Sequence, residues 1–256
     1  MSVRKDWASG TRFCSHYNME IRRFFVKPEA FDGSGVVIDG EEFRHAVKVL
    51  RQKVGFTIIF NTGDGCDYYA EITEISKDCL TARLIKKEIN VASPRKQITL
   101  YQGSLKCGKN DFVAQKAVEL GVSRIVFFDS KNAAEKNISV ERLRKIAVEA
   151  MKQCGRADSV TVEFKTFAEV IAEAAEGFSI MPYELEASVK LSDLDYENRV
   201  GASIIIGSEG GFDKSEAEAA RQAGVNLVSL GRRILRAETA AIAAVVLITE
   251  KIGGLY

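Results

Sequence analysis

Leu230-Gly231-Arg232-Arg233-Ile234-Leu235-Arg236-Ala237-Glu238-Thr239-Ala240 is the stretch on which the reading of this chain turns. It follows an apolar run, Leu227-Val228-Ser229-Leu230, that reads as a strand. It opens an alanine-rich run over residues 239–251 that reads as a helix. Three arginines and a glutamate crowd one connection between apolar segments. If the connection only turns the chain, it is a solvated basic turn with Thr239 as helix cap. If it binds a ligand, it does so at the carboxyl end of a strand, where open α/β sheets take small molecules. The functional reading is preferred, because a second unusual loop leaves the same sheet edge.

That second loop is Ile206-Gly207-Ser208-Glu209-Gly210-Gly211-Phe212-Asp213. It follows the apolar run Ser203-Ile204-Ile205-Ile206 and precedes a helix over residues 215–223. Asp213 and Glu216 have the spacing of a capping box. Three glycines at a strand-to-helix turn let backbone come close to a ligand and expose N–H groups to it. No Gly-Lys-Ser/Thr follows and the spacing is not G-x-G-x-x-G, so neither a Walker A loop nor a dinucleotide fingerprint is present.

Outward from these loops, strand and helix alternate. Strands are expected at residues 98–101, 124–128, 179–181, 203–206 and 227–230. Helices are expected at 110–120 (capped by Asn110-Asp111), 139–151 (capped by Ser139), 167–175, 215–223 and 239–251. This half is α/β with a largely parallel sheet. Residues 21–90 read differently. Short strands are expected at 22–26, 55–60, 68–75 and 79–85, with one short helix over 41–51 and an Asp-Gly turn at Asp64-Gly65. This pattern suggests a compact β-barrel. Ala92-Ser93-Pro94-Arg95-Lys96 reads as the linker. Three segments result: residues 1–18, a patternless tail or extended start; 19–93, the barrel; and 94–256, the α/β domain.

Composition narrows the class of function. In 256 residues, 36 Lys+Arg face 35 Asp+Glu, giving a net charge of +1, so a uniformly basic nucleic-acid coat is excluded but a local patch is not. One such patch is Arg22, Arg23, Lys27, Arg44, His45, Lys48, Arg51 and Lys53, interleaved with Phe24, Phe25 and Phe43. It suits phosphate contacts; the plainer reading is surface charge around core phenylalanines. The 5 cysteines show no C-x-x-C spacing and have only 2 histidines to assist them, so no zinc site is expected. The most apolar run, residues 240–249, is too short to span a bilayer. No signal peptide is read. Free thiols and a cytoplasmic, membrane-free location are therefore expected.

These segments together resemble the RsmE family of 16S rRNA uridine-N3 methyltransferases, in the SPOUT superfamily. Arg22-Arg23-Phe24-Phe25-Val26 and His45-x-x-x-Val49-Leu50-Arg51 resemble its PUA-like RNA-binding domain. Gln115-Lys116-Ala117-Val118-Glu119-Leu120-Gly121-Val122 and Glu149-Ala150-x-x-Gln153-x-x-Arg156 match two of its helices. Ile206-Gly207-x-Glu209-Gly210-Gly211 and Leu230-Gly231-x-Arg233-Ile234-Leu235-Arg236-x-Glu238-Thr239-Ala240 match its two cofactor loops. The chain departs from the family at Ser208 and Arg232, where proline is usual. It departs also at Ala237, often threonine, and at Ser130-Lys131-Asn132, where Ser-Glu-Arg is usual.

The resemblance implies a SPOUT domain with a deep trefoil knot, preceded by a small PUA-like β-barrel, and a homodimer. It implies methyl transfer from S-adenosylmethionine to N3 of a uridine in 16S rRNA or the assembled small subunit, without a metal. The implied cofactor residues are Pro182, Gly207, Ser208, Glu209, Gly210, Gly211, Leu230, Gly231, Arg233, Ile234 and Leu235. Arg22, Arg23, His45, Arg51 and Lys53 would contact RNA. Arg236 and Glu238 are the catalytic candidates, with Glu238 either a base or the group that orients the loop. The rival readings are a SPOUT methyltransferase for another RNA such as tRNA, and a non-catalytic RNA-binding relative.

Overall fold

The computed structural model describes residues 21–106, 108–133, 138–186 and 188–255; the tail expected over residues 1–18 lies outside them. The first sheet is built from β1 (Arg23–Phe25), β2 (Gly35–Asp39), β3 (Thr57–Asn61), β4 (Cys66–Ile75) and β5 (Cys79–Ile89), in the order β1-β3-β4-β5-β2. Period-two patterning decides its inner face. Phe24, Val36, Ile38, Ile58, Phe60, Tyr68, Ile72 and Leu80 pack into one apolar cluster with Phe43 and Ala46. β2 was not legible in the sequence. It is five residues bounded by Gly35 and Asp39, and it exists because β5 pairs with it along its whole length. The outer strands β1 and β2 are not paired to each other among the described residues, so the expected barrel is not closed by hydrogen bonds.

The helix expected over residues 41–51 is α1 (Gly40–Arg44), which widens at once into a π-helical turn over His45–Val49. Arg51 leaves it at φ 53, in the left-handed region, where a side chain costs about 1 kcal/mol.

The second unit is a three-layer α/β domain. Its strands are β6 (Gln97–Gly103), β7 (Arg124–Asp129), β8 (Thr161–Thr166), β9 (Ser179–Pro182), β10 (Gly201–Ile206) and β11 (Asn226–Val228), ordered β11-β9-β10-β6-β7-β8. Every pairing is parallel. One face is covered by α2 (Lys109–Glu119), α3 (Val140–Cys154) and α6 (Ala237–Lys251), the other by α4 (Phe167–Ala174) and α5 (Lys214–Gln222). Burial on both faces explains the unbroken Ile204-Ile205-Ile206 run: Ile204 and Ile206 pack in one layer, Ile205 in the other. Strand β8 was missed, because its residues alternate over only six positions and several are exposed.

The capping expectations are met in part. Asp213 and Glu216 form their box, and Ser139 Oγ accepts from Arg142 N–H at 3.3 Å. Asn110 does not cap α2. Instead its Nδ2 donates to Leu105 O at 2.8 Å and its Oδ1 accepts from Leu105 N–H at 2.9 Å, bracing the loop before the helix. At α6 Arg236 holds the cap position, without a side-chain bond, so the plain-turn reading with Thr239 as cap is not what forms. No helix among the described residues is long and apolar enough to cross a membrane.

The two units meet through Phe25, which packs against the core of the second, and through polar groups. Gly65 N–H donates to Ala157 O (3.1 Å), Ser159 N–H to Gly63 O (3.2 Å) and Asn90 Nδ2 to Gly155 O (2.9 Å). Behind this seam Arg156 is 1% exposed, its Nη1 donating to Val118 O and Val122 O while Asp158 neutralises it.

Candidate active site

Because the second sheet is parallel, β9, β10 and β11 end on the same edge, and the loops that follow them enclose one cleft. Its larger lobe, about 340 Å³, is lined by residues 206–212, by Ile234, Leu235 and Arg236, and by Lys109 and Glu184. Its smaller lobe, about 130 Å³, lies between Tyr183 and residues 229–235. Pro182, Glu184, Ile234, Leu235 and Ala240 line both lobes, which makes them halves of one space.

The glycine-rich loop is shaped by close approach. A Cβ on Gly103, the last residue of β6, would fall 2.6 Å from Ser208 N, so that position admits only hydrogen. Gln102 Nε2 donates to Gly207 O at 3.1 Å from below. The hydroxyls of Ser130 and Ser208 are 3.1 Å apart and buried, which ties the loop to the end of β7. Gly211 turns at φ 65, and a Cβ there would meet the Glu184 carboxylate at 2.8 Å. Asn132 Nδ2 donates to Gly210 O at 3.2 Å.

Charge gathers at one end of the larger lobe. Glu209 Oε1 accepts from Lys106 N–H at 3.0 Å and from Lys109 Nζ at 3.2 Å. Burial alone would push the Glu209 carboxyl up, but these donors and the ammonium charge hold it below the ordinary glutamate range. Lys109 Nζ is also 3.5 Å from Glu238 Oε2. The hydrogen bond to Glu209 and the charge of Glu238 hold Lys109 above the ordinary lysine range against a smaller desolvation effect, so it stays an ammonium.

The structure brings every expected cofactor residue onto the cleft: Pro182, Gly207, Ser208, Glu209, Gly210 and Gly211 on one side, and Leu230, Gly231, Arg233, Ile234 and Leu235 on the other. Ile234 is 91% exposed there. Arg236 lines the larger lobe. Glu238 is not part of the lining; its side chain is 16% exposed and faces Lys109. Of the expected RNA residues, Arg22, Arg51 and Lys53 are exposed and His45 is half-buried. Arg23 departs from the expectation. It turns inward and ion-pairs with Asp67, which also accepts from Asn61 Nδ2 at 2.8 Å and Asn90 Nδ2 at 3.0 Å.

Gly103, Lys109 and Glu184 were missed by the sequence reading. Gly103 sits two residues past an expected strand, where a glycine signals close approach, and could have been found. Lys109 and Glu184 carry no local pattern; only folding brings them to the cleft.

The sequence matches the model of an RNA methyltransferase domain over residues 92–249 and that of an RNA methyltransferase PUA domain over residues 38–85. It is 29% identical over 238 residues to ribosomal RNA small subunit methyltransferase E of Rickettsia conorii, covering 89% of this chain and 94% of the relative. It is 30% identical over 229 residues to the same-named protein of Buchnera aphidicola subsp. Schizaphis graminum, covering 86% and 92%. The crystal structure of ribosomal RNA small subunit methyltransferase E from Neisseria gonorrhoeae bound to S-adenosyl methionine superposes with a TM-score of 0.80 at 28% identity, covering 90% of this chain and 98% of that one. With both domains matched in order and the match running nearly end to end, the chain belongs to the ribosomal RNA small subunit methyltransferase E family of RNA methyltransferases.

Proposed function

We propose that the protein methylates N3 of a uridine in 16S rRNA, using S-adenosylmethionine, in the cytoplasm. One observation carries the reading: three loops distant in sequence form a single two-lobed cleft lined by all eleven residues expected to hold the cofactor. The residues fit this cofactor on the structure's own terms. The glycine-rich wall brings backbone, not side chain, to the cavity, and Ile234 and Leu235 offer apolar cover that folding leaves exposed or half-exposed. Residues 207–211 and 230–235 with Pro182 would hold it, backbone groups reading the adenine edge and Ile234 and Leu235 covering its face. When bound, the cofactor supplies a methyl group activated by a sulfonium, so no metal is needed.

N3 lies on the Watson–Crick edge, so the target uridine is unpaired or flipped out. Removing its proton places negative charge on N3 and O4, which Arg236 in the larger lobe stabilises. Of the two roles open to Glu238, base or loop anchor, its place behind Lys109 supports the second. Arg22, Arg44, Lys48, Arg51 and Lys53 form the exposed basic face that holds surrounding RNA by shape and phosphate contacts.

The domain limits 19–93 and 94–256, the trefoil knot and the homodimer belong to the same proposal. The placement of β9 between β11 and β10, with α6 returning against β6 and β10, supports a threaded C-terminal segment. Leu247 on α6 and Phe112 on α2, each 47% exposed, support an apolar face for a second copy.

Nucleoside mass spectrometry of small-subunit rRNA from cells with and without the gene tests the function. Loss of 3-methyluridine, restored by the intact gene but not by Arg236→Ala, is expected. Unchanged 3-methyluridine would overturn the rRNA assignment and turn attention to tRNA or a binding-only role.

A further inference from the structure

The group that meets the larger lobe between the two cofactor loops is neither a motif arginine nor a motif glutamate. It is Lys109, in the first turn of α2. Its ammonium is 3.2 Å from Glu209 Oε1, on the glycine-rich loop, and 3.5 Å from Glu238 Oε2, in the first turn of α6. Glu238 Oε2 is buried and makes no hydrogen bond among the described residues, and Lys109 is the cation among them that ion-pairs with it. Two carboxylates, one from the glycine-rich loop and one from α6, thus fix one cation at the wall of the larger lobe.

We propose that Lys109 is a further catalytic residue: its ammonium, held by Glu209 and Glu238, stabilises the N3 anion of the target uridine, and Glu238 is a positioning residue that acts through it. The inference rests on the methyltransferase reading above. The N3–H bond breaks first and its proton goes to solvent. The N3 lone pair then forms the bond to the methyl carbon, and the electron pair of the breaking carbon–sulfur bond stays on sulfur as a neutral thioether. A fixed cation near N3 and O4 makes N3–H more acidic, so more of the bound nucleotide is ionised at a given pH. Lys109 cannot be the base, because its carboxylate partners keep it protonated. The other charged groups lining the lobe are Arg236, Glu184 and Glu209; Glu238 stands behind Lys109.

Single-turnover methylation of small ribosomal subunits lacking the modification, measured from pH 6 to 10, tests this with Lys109→Met and Lys109→Arg. S-adenosylmethionine affinity by calorimetry and the melting temperature of cofactor-free protein are measured alongside. Lys109→Met is expected to lose about 100-fold in rate at neutral pH and to move the midpoint of the rate rise upward by about one unit or more. Its cofactor affinity should stay within about threefold of the parent, and Lys109→Arg should recover most of the rate and the midpoint. Glu238→Gln should show a smaller loss that disappears when Lys109 is already Met, as for two residues acting as a unit. An unmoved midpoint in Lys109→Met overturns the proposal. So does a joint collapse of cofactor affinity and melting temperature in both Lys109 variants, which would make the lysine a loop tie only. Failure of the parent protein to form 3-methyluridine on any small subunit would instead overturn the reading on which the inference rests.

Discussion

Gly103→Ala isolates the contact that shapes the cofactor wall. The added Cβ would lie 2.6 Å from Ser208 N and 2.9 Å from Gly207 C, both backbone atoms, against an ordinary contact of 3.4 Å or more. The glycine-rich loop would have to recede by about 0.8 Å, the kind of overpacking that costs about 2 kcal/mol. That movement would also stretch the Gln102–Gly207 and Ser130–Ser208 hydrogen bonds, each now 3.1 Å. Gly103 has no left-handed φ, so alanine adds bulk without backbone strain. For a protein of this size the melting temperature should fall by about 4–8 °C, and cofactor affinity by about tenfold or more, because the wall that meets the ligand is the part displaced. Gly177→Ala is the control: nothing lies within 4 Å of its Cβ position, so its melting point should hold or rise slightly. Thermal melts and calorimetric titration with S-adenosylmethionine decide the matter. A Gly103→Ala protein that melts and binds like the parent would refute the close-packing account of the loop.

Ile234→Ser should leave the melting temperature within about 1 °C of the parent while weakening cofactor binding several-fold, since this side chain is 91% exposed and contributes little to folding; calorimetry checks both halves. Arg156→Met should destabilise the fold by about 3–5 kcal/mol in urea unfolding, because Asp158 and the carbonyls of Val118 and Val122 lose a buried donor. Glu186 is held down to about 2 by hydrogen bonds from the Ser188 hydroxyl and N–H and by Arg221. Its folded value lies below the unfolded one, so its contribution is complete above about pH 5 and lost as pH falls toward 2. Glu186→Gln should flatten the melting-temperature decline across that window. Arg51→Gly should relieve its left-handed backbone, leaving stability unchanged or up to about 1 kcal/mol higher. At the same time it should weaken rRNA binding and reduce its salt dependence, as filter binding at several salt concentrations would show.

The sequence alone determined the class of the second domain and its binding edge. Alternating apolar strands and amphipathic helices force a parallel sheet buried on both faces, and parallel strands send their loops to one edge. That is why the sequence alone places the glycine-rich and arginine-rich loops together. The resemblance to a methyltransferase family added the cofactor and the role of each loop. Strands β2 and β8 escaped because each is short and gains its identity from the strand it pairs with. Asn110 was misread as a cap because a polar side chain near a helix start has competing local partners, and only the backbone path decides among them. The inward turn of Arg23 depended on Asp67, forty-four residues away, and the cation in the cleft on Glu209 and Glu238, a hundred residues or more from Lys109. Local pattern fixes which face of an element is apolar. Which charges meet across elements is settled by the packing of the whole sheet, and in this protein that packing delivers Lys109 to the cleft.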